Sequence, residues 1–200
     1  NGMVYIRGQR EDYDEWASAG NPGWSFDELL PCFKASEHNT RGADELHGSG
    51  GGLWVDEVGP PLDCTDLFIQ AGVSTGLPYN TDFNGPVQEG IGRYQVNVRN
   101  GRRQTSATAF LKAALQRANL ELQTHALAET LLLDGERVTG VQYRQKGKVL
   151  RVAARKSVIL CGGAINSPQL LELSGIGNPD VLGPLGIAAR PQARACDRFC

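Results

Sequence analysis

A mixed α/β (α+β) fold is predicted for this 200-residue chain, and three stretches predict it. Residues 157–175 read as a strand, a glycine turn and a helix. Residues 120–153 alternate and break at turn dipeptides in the manner of a β-meander. Three helix-period segments lie in the first 75 residues.

The opening residues are extended around Val4 and Ile6. They pass into a short helix on which Tyr13, Trp16 and Ala17 share a face at three- and four-residue spacing. Trp24-Ser25-Phe26-Asp27 leads into a second helix over residues 28–38, with an apolar stripe of Leu29, Leu30, Phe33 and Ala35 and with Pro31 near its start. Residues 47–52, HGSGGG, read as a glycine-rich surface loop, from which Leu53-Trp54-Val55 emerges as a strand. From Asp63 a third helix carries Leu67, Phe68, Ala71 and Val73 until Gly76-Leu77-Pro78 breaks it. Loops follow, and residues 106–117 are again helix-forming.

The meander comes next. Residues 120–124 alternate as a strand, Asp134-Gly135 separates two further strands, and Lys146-Gly147 turns the chain into residues 149–153. Residues 157–160 then form a buried strand. Gly162-Gly163 ends it, Ser167 is the expected N-cap with Pro168 at the first helical position, and Ser174-Gly175 supplies the stop. Side-chain-free residues at a strand end leave room for a ligand across the sheet edge.

Composition narrows the function classes. The chain is 40% hydrophobic and 21% charged, and its 20 Lys plus Arg against 22 Asp plus Glu are interspersed. That is a globular balance with no basic stretch to recruit nucleic acid. No apolar run approaches the roughly eighteen residues of a membrane span, and no signal-peptide layout is read at the start. Five cysteines, at 32, 64, 161, 196 and 200, show neither zinc nor disulfide-framework spacing. A reducing compartment, the cytoplasm, is expected, with peripheral attachment at the inner face of a membrane as the alternative.

The words CGGAINSPQLLELSGIG, residues 161–177, resemble the second signature of the glucose–methanol–choline (GMC) oxidoreductases. NGMVYIRGQREDYDEW, residues 1–16, resembles the tail of that family's first signature in its choline dehydrogenase-like members. TDFNG (81–85), QEGIG (88–92) and NGRRQTSATAFL (100–111) are also similar to family segments, so the resemblance covers residues 1–190. It implies an FAD-binding GMC-type fold, incomplete here: a βαβ/β-meander flavin domain with an interrupted antiparallel-sheet substrate domain. The expected division is 1–49 flavin domain, 50–102 substrate domain, 103–190 flavin domain and 191–200 an aberrant tail.

The resemblance also implies chemistry. Asn1, Gly2, Met3 and Val4 correspond to the stretch that lies against the flavin, and Ala128 to a backbone contact at the adenine end of FAD. No residue is expected to be catalytic, because the family's catalytic His and its partner fall beyond this stretch; the glycine-rich FAD fingerprint falls before it. The implied reaction is FAD-dependent oxidation of choline or a related primary alcohol to the aldehyde, by hydride transfer to flavin N5. The electron acceptor, a quinone chain or oxygen, stays open, and the segment by itself is expected to be inactive. Two other classes are carried: a non-catalytic flavoprotein remnant or interaction module, and an NAD-dependent dehydrogenase.

Other residues have plainer readings. Cys161 is expected to be a small buried hydrophobe. Gly162-Gly163-Ala164 serves either close helix–strand packing or direct FAD contact. HGSGGG lacks the Lys-Ser/Thr of a phosphate loop. His38, His47 and His125 show no metal-ligand spacing and are read as structural. Arg102-Arg103 is read as an ion-paired approach to a helix. Tyr5, Trp16, Trp24 and Trp54 could cage a quaternary ammonium, but core packing is the favoured reading, and Gln88-Glu89 is a candidate binding loop.

Overall fold

The computed structural model describes residues 2–60 and 62–190. The chain divides into two compact units, Asn1–Glu121 and Leu122–Cys200. The expected tail at 191–200 lies outside the described residues.

In the first unit, helix α1 (Arg10–Ser18) is opened by Gln9 and Asp12, which exchange a capping box, the Gln9 N–H donating to Asp12 Oδ2 at 2.7 Å. Tyr13 is buried. Its ring meets Trp16 at 5.4 Å, Phe33 at 5.5 Å and Phe26 at 6.0 Å between centroids, which fastens α1 to helix α2 (Phe26–Ser36). A second capping box, Ser25 with Glu28, starts α2 two residues earlier than its apolar stripe suggests. The helix also ends earlier, at Ser36. Glu37 and His38 leave it and, with Asn39, form strand β1 (Glu37–Asn39), parallel to β2 (Leu53–Val55), because Glu37 and Asn39 are drawn into a buried polar cluster.

The glycine-rich segment after His47 is a surface loop at Ser49, Gly50 and Gly52, which are exposed, and is packed at Gly48 and Gly51. A Cβ on Gly48 would stand 1.9 Å from the Lys34 carbonyl oxygen, and one on Gly51 2.1 Å from the Ser36 carbonyl carbon. These glycines let the loop lie directly on the end of α2. Helix α3 (Asp63–Ser74) buries Ile69, and Gly72 gives way to Ile91, whose Cδ1 would be 2.3 Å from an added Cβ. The expected stripe of Leu67 and Phe68 instead faces out, 65% and 72% exposed. Residues 98–103, read as loop, form a hairpin of β3 (Val98–Arg99) and β4 (Arg102–Arg103), whose turn residues Asn100 and Gly101 both have positive φ. Arg102-Arg103 is therefore strand β4, which leads through Gln104 and Thr105 into the next helical segment. The helix expected over 106–117 is shorter and begins with a π-helical turn, Ala107–Leu111, before α4 (Lys112–Ala114).

The second unit holds the meander β5 (Ala126–Asp134), β6 (Arg137–Gln145) and β7 (Lys148–Ala153), antiparallel in the order β5-β6-β7. Lys146 and Gly147, both at positive φ, make the two-residue loop that their sequence announces. Residues 120–124 and 157–160 join no ladder among the described residues. Alternation and β-branching give a segment strand propensity, but a ladder needs a partner edge. Helix α5 (Gly163–Leu173) starts straight from the glycine pair, a turn ahead of the expected N-cap: Gly163 turns the chain at φ 86°, and Ser167 Oγ accepts the Gly162 N–H at 3.0 Å. Pro168 thus lies inside α5. Its stop is as expected, with Gly175 at φ 83° and the Ile176 N–H returning to the Leu171 carbonyl at 2.9 Å. Ser174 Oγ accepts the buried Leu131 N–H at 2.8 Å and donates to the Leu170 carbonyl at 2.6 Å, binding α5 to β5. Helix α6 (Pro179–Leu182) follows, capped by Asn178, and buries Leu182 completely.

Candidate functional site

A cavity of about 490 Å³ opens in the second unit between the start of β5, residues 158–162 and the first turns of α5. Ala128 lines it, together with Leu127, Val141, Leu160, Gly162 and Leu170. The register of β5 on β6 slips between Ala128 and Thr130, so Glu129 is an extra residue in the strand. A bulge of this kind interrupts the ladder beside Ala128 and re-aims the backbone there. Ala128 and the Cys161-Gly162 turn, far apart in sequence, are thereby brought to one wall. Cys161 is exposed within this lining and is not the buried hydrophobe expected.

Gly2, Met3 and Val4 belong to the first unit and are all exposed. Val4 bridges Val96 antiparallel, the Asn97 N–H donates to the Met3 carbonyl at 2.8 Å, and the Tyr5 N–H to the Gln95 carbonyl at 2.9 Å. Met3 has φ 68°, a left-handed conformation uncommon for a non-glycine residue. Asn1 lies outside the described residues.

What fixes this exposed edge from beneath is a buried polar network that no sequence pattern disclosed. Arg7 pairs with Glu37 in the interior, their side chains 4% and 0% exposed. Arg7 Nη1 also donates to the Leu46 carbonyl at 2.7 Å, and the guanidinium stands 5.2 Å from the Phe33 ring centre. Glu37 Oε1 accepts from Asn39 at 2.8 Å, and Asn39 exchanges two amide hydrogen bonds with Gln95, at 3.0 and 3.1 Å. Asn84 Oδ1 accepts the Arg7 N–H at 2.7 Å, while its Nδ2 donates to the Tyr5 carbonyl at 3.1 Å. Burial raises the Tyr5 hydroxyl above the ordinary phenol pKa, against the opposing pull of the Arg7 charge. The network joins residues up to about eighty positions apart, which is why periodicity could not find it.

The remaining candidates resolve differently. Gln88 donates to the carbonyls of Arg7 and Phe83 at 3.0 and 3.1 Å, so it ties its loop to this frame; with Glu89 it lines a second cavity of about 490 Å³ beside Arg7. The aromatic residues do not converge on one cage: Trp16 packs edge-on to Trp24 at 5.8 Å, while Trp54 stacks on His38 at 3.9 Å with Arg99 4.7 Å from its ring centre. Among the described residues no three His, Cys, Asp or Glu side chains converge as a metal cage. No helix of the described residues is long and apolar enough to cross a membrane.

Comparison with known proteins fits these features into a larger frame. A family model described as GMC oxidoreductase matches residues 1–187. The chain belongs to the GMC oxidoreductase family. Human mitochondrial choline dehydrogenase is 43% identical over 189 residues, covering 94% of this chain and 32% of that protein. An oxygen-dependent choline dehydrogenase of Chromohalobacter salexigens is 44% identical over 192 residues, covering 94% and 34%. The chain thus spans about a third of the length of these curated relatives. Among solved structures, pyridoxine 4-oxidase from Mesorbium loti superposes with a TM-score of 0.83 at 37% identity, over 94% of this chain and 38% of that one. The mixed helix-and-strand architecture with small sheets is therefore that of a GMC oxidoreductase.

Proposed function

We propose that this chain is the flavin-holding part of an FAD-dependent alcohol oxidoreductase, with choline or a related primary alcohol as substrate. The observation that carries the reading is the cavity shared by Ala128 and the Cys161-Gly162 turn, in a chain whose family membership extends over residues 1–187. Its apolar lining and its size suit one end of a dinucleotide. The bulged strand at Ala128 and the side-chain-free turn at Gly162 allow backbone approach to a planar group. Gly2, Met3 and Val4, with Asn1 before them, would hold the flavin ring itself through their main chain, on an edge kept in place by the Arg7 network.

FAD, when bound, supplies the acceptor for the hydride that leaves the alcohol α-carbon, at flavin N5. This chain's residues would do the holding, fixing the orientation of the ring through main-chain contacts. The substrate assignment rests on the curated relatives, which are named as choline dehydrogenases. The division into flavin segments 1–49 and 103–190 around a substrate segment 50–102 is part of the same proposal.

The test uses the complete protein carrying this segment. Purified, it should be yellow, release FAD on denaturation and reduce a dye with choline, without nicotinamide. A colourless protein, or one that requires NAD, would end the proposal. The 200 residues alone should show no alcohol-dependent dye reduction.

A further inference from the structure

We propose that Asn84 and Gln88 are positioning residues for the flavin: with two side-chain amides, one loop sets the main chain that follows Met3 and Val4. The inference rests on the flavin reading above. Met3 stands at φ 68°, and an uncommon backbone conformation persists only where its surroundings over-determine it. Around Val4 the neighbour is the chain at residues 95–97, which engages the Met3 carbonyl at 2.8 Å and the Tyr5 N–H at 2.9 Å.

Beyond Val4 the partners change from main chain to side chain. The Asn84 carboxamide spans two backbone groups at once, its Oδ1 accepting the Arg7 N–H at 2.7 Å and its Nδ2 donating to the Tyr5 carbonyl at 3.1 Å. A peptide group of a neighbouring strand would make the same pair of bonds. Gln88 Nε2 donates to the Arg7 carbonyl at 3.0 Å. Bonds between two main chains survive most substitutions; these three exist only while amides stand at 84 and 88. The loop that presents them is itself fixed. Asn80 Nδ2 donates to the Val87 and Glu89 carbonyls at 2.9 and 3.0 Å, its Oδ1 accepts the Asp82 N–H at 2.7 Å, and Asp82 Oδ1 accepts the Asn84 N–H at 2.9 Å. Asn84 and the adjoining Phe83 are 8% and 7% exposed, so water is a poor substitute partner. Loss of the Asn84 amide would leave the Arg7 N–H in the interior without an acceptor, and the adjustment open to residues 5–7 is a shift that carries Val4 with it. The loop lies in the proposed substrate segment, so the flavin edge would take its position from the substrate side. Both amides are uncharged, so their effect on the ring would be one of place and not of field.

The complete flavin-loaded protein tests this, through the visible circular dichroism of its bound flavin and the FAD concentration that half-saturates the deflavinated form. Asn84→Leu, which removes two bonds, should weaken FAD binding about tenfold and alter the visible dichroism of the flavin that remains. Gln88→Met, at a half-buried position and with one bond lost, should act in the same direction by about threefold, and it decides the matter if Asn84→Leu does not fold. Ser25→Ala loosens the start of α2 without touching residues 5–7 and should leave both readings unchanged. A yellow parent whose folded variants keep its dichroism and its FAD affinity overturns this inference alone. So does a Ser25→Ala protein that disturbs the flavin as much as the amide variants do. A colourless parent instead overturns the flavin reading, and this inference with it.

Discussion

Glu37→Ala is the substitution that tests the architecture of the first unit most directly. Glu37 is fully buried and pairs with Arg7, itself 8% exposed. Removing the carboxylate leaves a guanidinium in the interior with the Leu46 carbonyl and the Tyr5 hydroxyl as its remaining polar neighbours. Breaking one side of a buried ion pair costs about 3–5 kcal/mol, and the Asn39 amide, which loses its 2.8 Å acceptor, adds about 1 kcal/mol. A loss near 5 kcal/mol at a urea slope of about 2 kcal/mol/M lowers the unfolding midpoint by roughly 2.5 M. Tryptophan fluorescence is the right signal. All three tryptophans, Trp16, Trp24 and Trp54, lie in the first unit. The double variant Arg7→Met/Glu37→Leu, which removes both charges, should recover more than half of the loss. A Glu37→Ala midpoint within about 0.5 M of the parent, corresponding to about 1 kcal/mol, would refute the claim that this pair organises the unit.

Three further outcomes follow from local geometry. Gly48→Ala should destabilise the first unit by about 3 kcal/mol or more, since its Cβ would fall inside the Lys34 carbonyl; thermal unfolding reads it. Ser174→Ala should cost about 1–3 kcal/mol, because the Leu131 N–H loses its acceptor in the interior, and amide exchange at Leu131 should quicken. The side-chain hydrogen bond from Ser25, then its backbone N–H, hold the Glu28 carboxyl below its ordinary pKa. A depressed carboxylate contributes stability that is present above the unfolded value, about 4.3, and is lost as pH falls through the folded one. The acid limb of the stability profile should therefore flatten in Ser25→Ala, and an unchanged limb would contradict the capping box.

Local signals in the sequence were reliable where the physics is local. The Lys146-Gly147 turn, the Gly175 stop and the first helix need only φ preferences and short-range patterning, and the structure has them. The family words carried the fold class with them. Where a neighbour decides, reading the sequence failed. Residues 157–160 have a strand's composition but no partner edge, Leu67 and Phe68 have a helix period but face outward, and Ser167 has a cap's chemistry but folds back to Gly162.

The candidate site divides in the same way. The glycine turn at 162–163 and the Asn-Gly opening were visible as words, because conformational freedom at glycine is a property of the residue itself. That Ala128 sits beside a bulge on the same wall as Gly162, and that Arg7, Glu37, Asn39 and Gln95 share one buried network, follow only from the folded chain. Burying a charge is unfavourable until its partner arrives from elsewhere in the sequence, so the meaning of Glu37 is fixed by Arg7 thirty residues away.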